Sequence, residues 1–514
     1  MIRTLTCVVK NISRRHYATA ARTVKAESVR GVPIITCKRS EFNYFADGEV
    51  NKNVKFGEIP LASSGWRHRK SKGDHFIINA STPERESPSE ELDNAKLEQF
   101  GVNEQLVNNI KTELEIEKLT SIQSKALPLI TDMNHVLLAA ATGCGKTLAY
   151  ALPIVAQLLS TKNKVRDRQM NTPLALILTP GRELAGQVAT VVEKLTRGLG
   201  VQVKTIIGGH TKRQMLNPDF EEVDILVGTI GAISKLVTTG IYRMDEVRHV
   251  VLDEADTLLD DSFAGKLAHF LKRFPFHKNH LQDLSNNIIG TQLILASATM
   301  PTNVNQMLAQ IVDTETIHEL VSPDLHHLMP HVTQKFIRMN KSDRPGQLLT
   351  LVKSELRRKR PLIIFGNKSA TSDFISIFLN DQGVNCVNLN GDMLMEVRIG
   401  KFEQFQHGEV DVLSTTDIGS RGLDTTRARH VINFDFPLHV ADYIHRCGRI
   451  GRVGSHHKCQ VTNFVSSQRE IEVVQRIEHA ARTGGLLPNV NANISGIIKK
   501  RIMREMQSQG LEAL

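Results

Sequence analysis

Residues 135–147, HVLLAAATGCGKT, decide how the rest of the chain is read. Val136, Leu137 and Leu138 form a short apolar run, the pattern of a strand buried on both faces. Gly143, Cys144, Gly145, Lys146 and Thr147 follow as a tight turn, and LAYALPIVAQLL from Leu148 predicts a helix. Strand, glycine turn and helix together make a phosphate cradle. Glycine lets backbone N–H groups approach an anion closely, and the helix N-terminus adds positive potential. Ala140, Ala141 and Thr142 lead into the loop; Lys146 would reach the β- and γ-phosphates of a nucleotide, and the Thr147 hydroxyl would ligate Mg²⁺. Ala140 stands where the usual pattern has its first glycine, so a strict search passes over the site. A glycine turn between a core strand and a core helix would look much the same, and it is the strand before and the helix after that favour a nucleotide.

The same rhythm extends outward. VLLA (136–139), LALIL (174–178), VKTII (203–207), ILV (225–227), HVVL (249–252) and QLILA (292–296) alternate with helical stretches. It restarts at PLIIF (361–365), VNCVNL (384–389), VDVLS (410–414), HVINF (430–434) and QVTNF (460–464). Strands alternating with helices predict two tandem α/β domains, each a doubly wound parallel sheet, with a boundary near residues 320–335. At 514 residues the chain has room for both. Its net charge of +10 favours a polyanionic partner such as nucleic acid. Aromatic content of 5% with one Trp argues against a base-stacking platform and for backbone contact. The cysteines at 7, 37, 144, 386, 447 and 459 show no CxxC, which fits a reducing compartment and gives no zinc site; His456, His457 and Cys459 sit on one short turn. No apolar run reaches the ~18 residues of a membrane helix.

Strand HVVL runs straight into Asp253, Glu254, Ala255 and Asp256. Adjacent carboxylates at a strand's C-terminal end are costly unless they hold a cation or polarise water, and in open α/β sheets ligands bind at that edge. Asp253 would hold Mg²⁺ through its water shell, and Glu254 would orient and deprotonate an attacking water. Acidic turns are common, and it is the position after an apolar strand, about one hundred residues past the phosphate loop, that sets this one apart.

With both sites placed, the chain resembles the DEAD-box RNA helicase family over roughly residues 98–470, with its motifs in the family's order. Phe100-Gly101 and Thr120-Ser121-Ile122-Gln123 are similar to the adenine-reading Q motif, in which Gln123 would bind the adenine edge. Thr179 to Ala185 (TPGRELA) is similar to PTRELA, Gly208-Gly209 follows, and Thr229-Ile230-Gly231-Ala232 stands where the family has TPGR. Ser297-Ala298-Thr299 matches the SAT motif. In the second domain, Ile363 to Lys368 resembles motif IV, and Asn390-Gly391-Asp392 with Arg398 resembles the next RNA-contacting segment. Thr416 to Asp424 (TDIGSRGLD) matches motif V, and Tyr443 to Arg452 (YIHRCGRIGR) matches motif VI.

The resemblance implies two RecA-like domains that bind ATP and Mg²⁺ in the cleft between them. Gly422 and Asp424 join the nucleotide set, and Ser297, Ala298, Thr299 and His445 would couple the domains. Arg449 and Arg452 would act as arginine fingers, which are worth about 10³ to 10⁵ in rate. If they come from the second domain, hydrolysis requires closure, and RNA bridging the cleft promotes it. Pro180, Arg182, Gly209, Thr229, Gly231, Asn367, Gly391, Arg398 and Thr416 would contact RNA, mostly at phosphate and sugar. The pattern also departs from the family. Leu119 and Ser121 replace the Q-motif prolines, and Ile116 replaces an aromatic. Gly181, Ile230, Ala232 and Met395 replace family residues on the RNA side. The function expected is an RNA-stimulated ATPase that locally unwinds or remodels RNA. The alternative is an ATP-gated RNA clamp with little strand separation.

The flanks carry separate expectations. Residues 1–26 hold Arg3, Lys10, Arg14, Arg15, Arg22 and Lys25 and no acid, the composition of a mitochondrial presequence, with a cleavage-like site at Tyr17-Ala18. A basic tail that binds RNA would read similarly, and RHRKSK (67–72) could instead direct the chain to the nucleus or nucleolus. The division expected is a leader over 1–40, a largely disordered extension over 41–95, domain 1 over 96–325, domain 2 over 330–482 and a basic tail over 483–514. Matrix location, monomeric state and action on ribosomal RNA of the large mitochondrial subunit follow as expectations, with no membrane partner.

Overall fold

The computed structural model describes residues 34–45, 59–81, 90–91, 97–162, 168–208, 215–259, 261–276, 290–300, 308–309, 311–323, 325–417, 427–452, 458–488 and 490. All eleven apolar runs form strands. The first sheet contains β5 (Val136–Ala139), β6 (Ala175–Thr179), β7 (Val203–Ile206), β8 (Ile225–Thr229), β9 (His249–Asp253), β10 (Gln292–Ser297) and β11 (His318–Val321). Its order is β11-β5-β10-β9-β6-β8-β7, and every pairing is parallel. Side chains alternate between faces along each strand. Val136, Leu138, Ile177, Val251 and Ile294 pack into one core layer. Leu137, Leu176, Val250, Leu252 and Leu293 pack into the layer on the opposite face. Helices on both faces bury the central strands β5, β6, β9 and β10 completely, so these strands read as continuous apolar runs rather than alternating ones.

The second sheet repeats this plan and adds to it. β12 (Val332–Arg338), β13 (Leu362–Phe365), β14 (Cys386–Leu389), β15 (Val412–Thr415), β16 (His430–Asn433) and β17 (Cys459–Val465) run parallel. Two further strands from before the first domain, β1 (Ile35–Cys37) and β2 (His75–Ile78), extend the edge antiparallel, in the order β1-β2-β12-β17-β16-β13-β15-β14.

Within the segment expected to be largely disordered over 41–95, residues 59–81 instead pack on this sheet, and 46–58, 82–89 and 92–96 lie outside the described residues. Phe76 faces Phe336 across the β2–β12 pairing with ring centroids 4.7 Å apart, and Trp66 is 1% exposed. Glu478 is fully buried and accepts hydrogen bonds from the Ala62 N–H, Ser63 N–H and Ser63 hydroxyl at 2.7, 2.9 and 2.6 Å. It also pairs with Arg482 at 2.7 Å. A buried carboxylate is tolerated only with this density of donors. Leu487 and Val490 are buried in the same core, so the second domain continues past residue 482. Ser81 N–H donates to Pro330 O at 2.8 Å, which puts the outgoing and returning connections side by side. The short pair β3 (Glu90–Glu91) and β4 (Lys118–Leu119) then anchors the outgoing strand to the first domain. The first domain is thus inserted into the second. Of the leader expected over 1–40, residues 1–33 lie outside the described residues while 34–40 carry β1, and of the tail expected over 483–514, residues 491–514 lie outside them.

Candidate functional site

The phosphate loop leaves the C-terminal end of β5 and enters the helix Lys146–Lys162. Gly143 and Gly145 have φ of 75° and 85°, the left-handed region that only glycine enters cheaply. Lys146 Nζ donates to Ala140 O at 2.7 Å and Ala141 O at 3.0 Å, the two carbonyls at the head of the loop. Thr120 caps the helix Ser121–Thr131 in a box with Gln123. The Gln123 carbonyl accepts the Thr120 N–H at 2.8 Å, and its amide donates to Gly145 O at 3.1 Å. Gln123 therefore buttresses the phosphate loop, and each amide atom keeps one further hydrogen-bonding valence. Ile116 and Phe100 pack against the first core beside it.

β9 lies two strands from β5, with β10 between, and delivers Asp253 to the same edge. Burial pushes the Asp253 carboxyl up to about 6; the Tyr150 hydrogen bond opposes this, Glu254 reinforces it, and Lys146 opposes it. Asp253 Oδ2 accepts from the Tyr150 hydroxyl at 2.8 Å, and Oδ1 accepts from the Glu254 N–H at 2.9 Å. Glu254 sits at φ 51°, ψ 52°, a left-handed backbone that costs a non-glycine residue about 1–3 kcal/mol. Its Oε2 is buried with no hydrogen-bond partner among the described residues. An oriented carboxylate oxygen with an open valence beside a phosphate loop suits a general base for water. Two oxygen donors, Asp253 and Thr147, suit Mg²⁺, which takes few protein ligands and completes its shell with phosphate and water. Among the described residues no group of three or more His, Cys, Asp or Glu forms a metal cage.

Asp256 links both domains. Burial alone would raise its carboxyl, but His445, Thr299 and Lys146 outweigh that and hold it well below the usual range. Its Oδ2 accepts from Thr299 N–H at 3.0 Å and Thr299 Oγ1 at 2.8 Å. His445 Nε2 stands 3.6 Å from that oxygen, across the cleft. Ser297 Oγ donates to Thr299 O, which bends the SAT turn toward Asp256, and Ala298 is buried in the same turn.

The second domain closes directly over the loop. A Cβ on Gly143 would lie 2.6 Å from Arg452 Cγ, and one on Gly448 would overlap the Thr142 hydroxyl. Arg452 lies against the loop at Gly143, and Arg449 lies three residues earlier in the same motif. Arg449 is buried, donates to His445 O at 3.1 Å and lies within the field of Glu254; Arg452 donates to Gly448 O at 3.2 Å. Sequence reading missed Arg446 as a site residue. It is 1% exposed and binds Asp417 with two 2.6 Å hydrogen bonds, Asn433 at 3.1 Å, Asp435 O at 2.8 Å and Asn367 at 2.7 Å. One guanidinium therefore ties motifs IV, V and VI together. The available signal was its place inside motif VI.

The residues expected at RNA separate into two groups. Gly181 and Thr229 precede the helices Arg182–Thr196 and Ile230–Thr238 at the ends of the paired strands β6 and β8, with Thr179 opposite Thr229. Pro180, Arg182 and Gly231 sit on these adjacent helix starts, where backbone N–H groups suit phosphate. Arg182 also lies against Gly208. Across the cleft, Gly391 is exposed and Thr416 buried. Asn367 is committed to its own domain, donating to Phe436 O and accepting from Arg446. Arg398 pairs across the cleft with Glu183 at 2.6 Å. Gly209, Gly422 and Asp424 lie outside the described residues.

Comparison with known proteins agrees with this layout. A family described as DEAD/DEAH box helicase matches residues 120–307, and one described as helicase conserved C-terminal domain matches 343–454. The chain is 34% identical to the probable ATP-dependent RNA helicase DDX28 of Homo sapiens, over 90% of this chain and 87% of that protein. It is 32% identical to the ATP-dependent RNA helicase RhlB of Shewanella woodyi, over 71% of this chain and 78% of that one. Among solved structures, S. cerevisiae Dbp5 bound to RNA and ADP BeF3 is 25% identical and superposes with a TM-score of 0.59, over 74% of this chain and 92% of that chain. Mss116p bound to ssRNA and AMP-PNP shares the fold at a TM-score of 0.64 and 24% identity, over 78% of this chain and 79% of that one.

Proposed function

The chain belongs to the DEAD-box family of ATP-dependent RNA helicases, and from that premise we propose that it hydrolyses ATP when RNA draws its two domains together. The observation that carries the reading is the closure of Gly448 and Arg452 onto Thr142 and Gly143. That arrangement brings motif VI onto the phosphate loop and Arg449 into the field of Glu254. Glu254 takes a proton from water as it attacks the γ-phosphorus; the bond to the bridging oxygen breaks, and ADP and phosphate leave. Lys146, Arg449 and Arg452 bear on the charge that spreads over the γ-oxygens. Mg²⁺, held by Thr147 and through water by Asp253, would neutralise the β- and γ-phosphate oxygens. Gln123 reads adenine through its remaining valences. RNA crosses the adjacent helix starts of domain 1 and the Gly391 and Thr416 edge of domain 2, bound by backbone and 2′-OH. Strand separation is local, driven by closure.

The RNA, on this proposal, is ribosomal RNA of the large mitochondrial subunit, met by a monomer in the matrix. The acid-free basic stretch over residues 1–26 supports the compartment. The clamp alternative loses ground because the relatives are helicases and the hydrolytic residues are all retained.

The test is ATP hydrolysis with and without single-stranded RNA, for wild type and Glu254→Gln. RNA should stimulate the wild type strongly, and the variant should lose 10²-fold or more of that rate, the usual order for a general base, while still binding ATP and RNA. Hydrolysis unchanged in the variant would remove Glu254 from this role. ATP-dependent RNA binding without stimulated hydrolysis in the wild type would return the clamp.

A further inference from the structure

Tyr150 lies one turn into the helix Lys146–Lys162, three residues after Thr147, and is completely buried. Its ring would be ordinary core filling. Its hydroxyl is not, because a buried phenol must find a partner. It donates to Asp253 Oδ2 at 2.8 Å. The Glu254 N–H occupies the other oxygen at 2.9 Å. Each carboxylate oxygen therefore holds one donor and keeps one open lone-pair direction, and the carboxylate plane is fixed. Thr147 lies one turn earlier on the same helix, on the same face as Tyr150. One hydroxyl thus joins the start of the phosphate-loop helix to the end of β9.

We propose that Tyr150 is a positioning residue for the divalent cation, holding Thr147 and Asp253 at a set separation before the metal–nucleotide complex arrives. This rests on the assignment of those two residues to Mg²⁺. A phenol that served packing alone would affect thermal stability and leave metal dependence untouched. A phenol that presets two oxygen donors affects metal dependence even when the fold is intact.

Tyr150→Phe keeps the ring and removes the hydroxyl. The measurement is binding of a fluorescent ADP analogue across a Mg²⁺ titration, together with binding in EDTA. The half-saturating Mg²⁺ concentration should rise about tenfold, the order expected when a hydrogen bond to a charged acceptor is lost, while affinity in EDTA stays within about twofold. In an Asp253→Asn background the same change should add no further Mg²⁺ effect, since the partner is already altered. A Tyr150→Phe midpoint within twofold of wild type, or an equal shift persisting beside Asp253→Asn, overturns the proposal. If Asp253→Asn alone leaves the Mg²⁺ midpoint unmoved, the cation assignment beneath it is what fails.

Discussion

At His445 and Asp256, chemistry and domain closure meet at a titratable contact. Burial would lower the His445 imidazole, but the Asp256 and Glu254 carboxylates facing it outweigh both burial and the Arg449 charge and raise it above its ordinary value. In the open molecule His445 returns to a value near 6.5. The stabilisation of the closed form is therefore complete below about that value and is lost as pH rises through the raised one. Asp256 is depressed and stays charged over the whole range. ATP- and RNA-driven closure, followed by fluorescence transfer between labels on the two domains, should weaken with rising pH by up to about tenfold per unit through that window. His445→Gln should flatten the profile. A profile that keeps its slope in the variant would assign the proton elsewhere. Arg446 makes the complementary point about what sequence can show. Motif VI put an arginine there, but its five hydrogen bonds go to four residues, at positions 367, 417, 433 and 435, and a role shared among distant residues is invisible in any one stretch.

At the scale of elements, the parallel strands were legible because each is apolar on both faces and is bracketed by glycine or acidic turns. β1 and β2 were not. ITC and HFII are short, and β12, against which β2 pairs with β1 next to it, lies more than 250 residues downstream. A three- or four-residue strand carries almost no local signal, and its stability comes from the edge it docks on. The consequence can be measured. Trp66 is buried by a segment that precedes domain 1, yet it packs in the core of domain 2. Trp66→Ala should cost about 3–5 kcal/mol and lower the unfolding midpoint of domain 2 by roughly 10 °C, with nucleotide binding to domain 1 retained. Arg69→Ala, on the exposed face of the same segment, should leave the midpoint unchanged. Equal, small shifts for both would mean that the segment only decorates the sheet edge.

For the whole molecule, the insertion of domain 1 into domain 2 means that two connections, leaving side by side at Ser81 and Pro330, set how the halves meet. Among the described residues, charged pairs cross the cleft. Arg398 and Glu183 pair at 2.6 Å with side chains only 9% and 12% exposed, and each sits in a motif expected at RNA. Glu183 is in the first turn of its helix, where a carboxylate is favoured by the helix dipole. Breaking so enclosed a pair leaves the partner charge stranded, so Glu183→Gln should weaken the mutual enhancement of ATP and RNA binding by about tenfold. Reciprocity requires the same factor whether ATP affinity is read with and without RNA or the reverse. Arg398→Gln should match it, and the double variant should be no worse than either single one if the two act only through each other. If Arg398 also contacts RNA, its variant will weaken RNA binding further even without ATP, and the double variant will inherit that extra loss. The cycle therefore separates an arginine that closes the cleft from one that holds the strand.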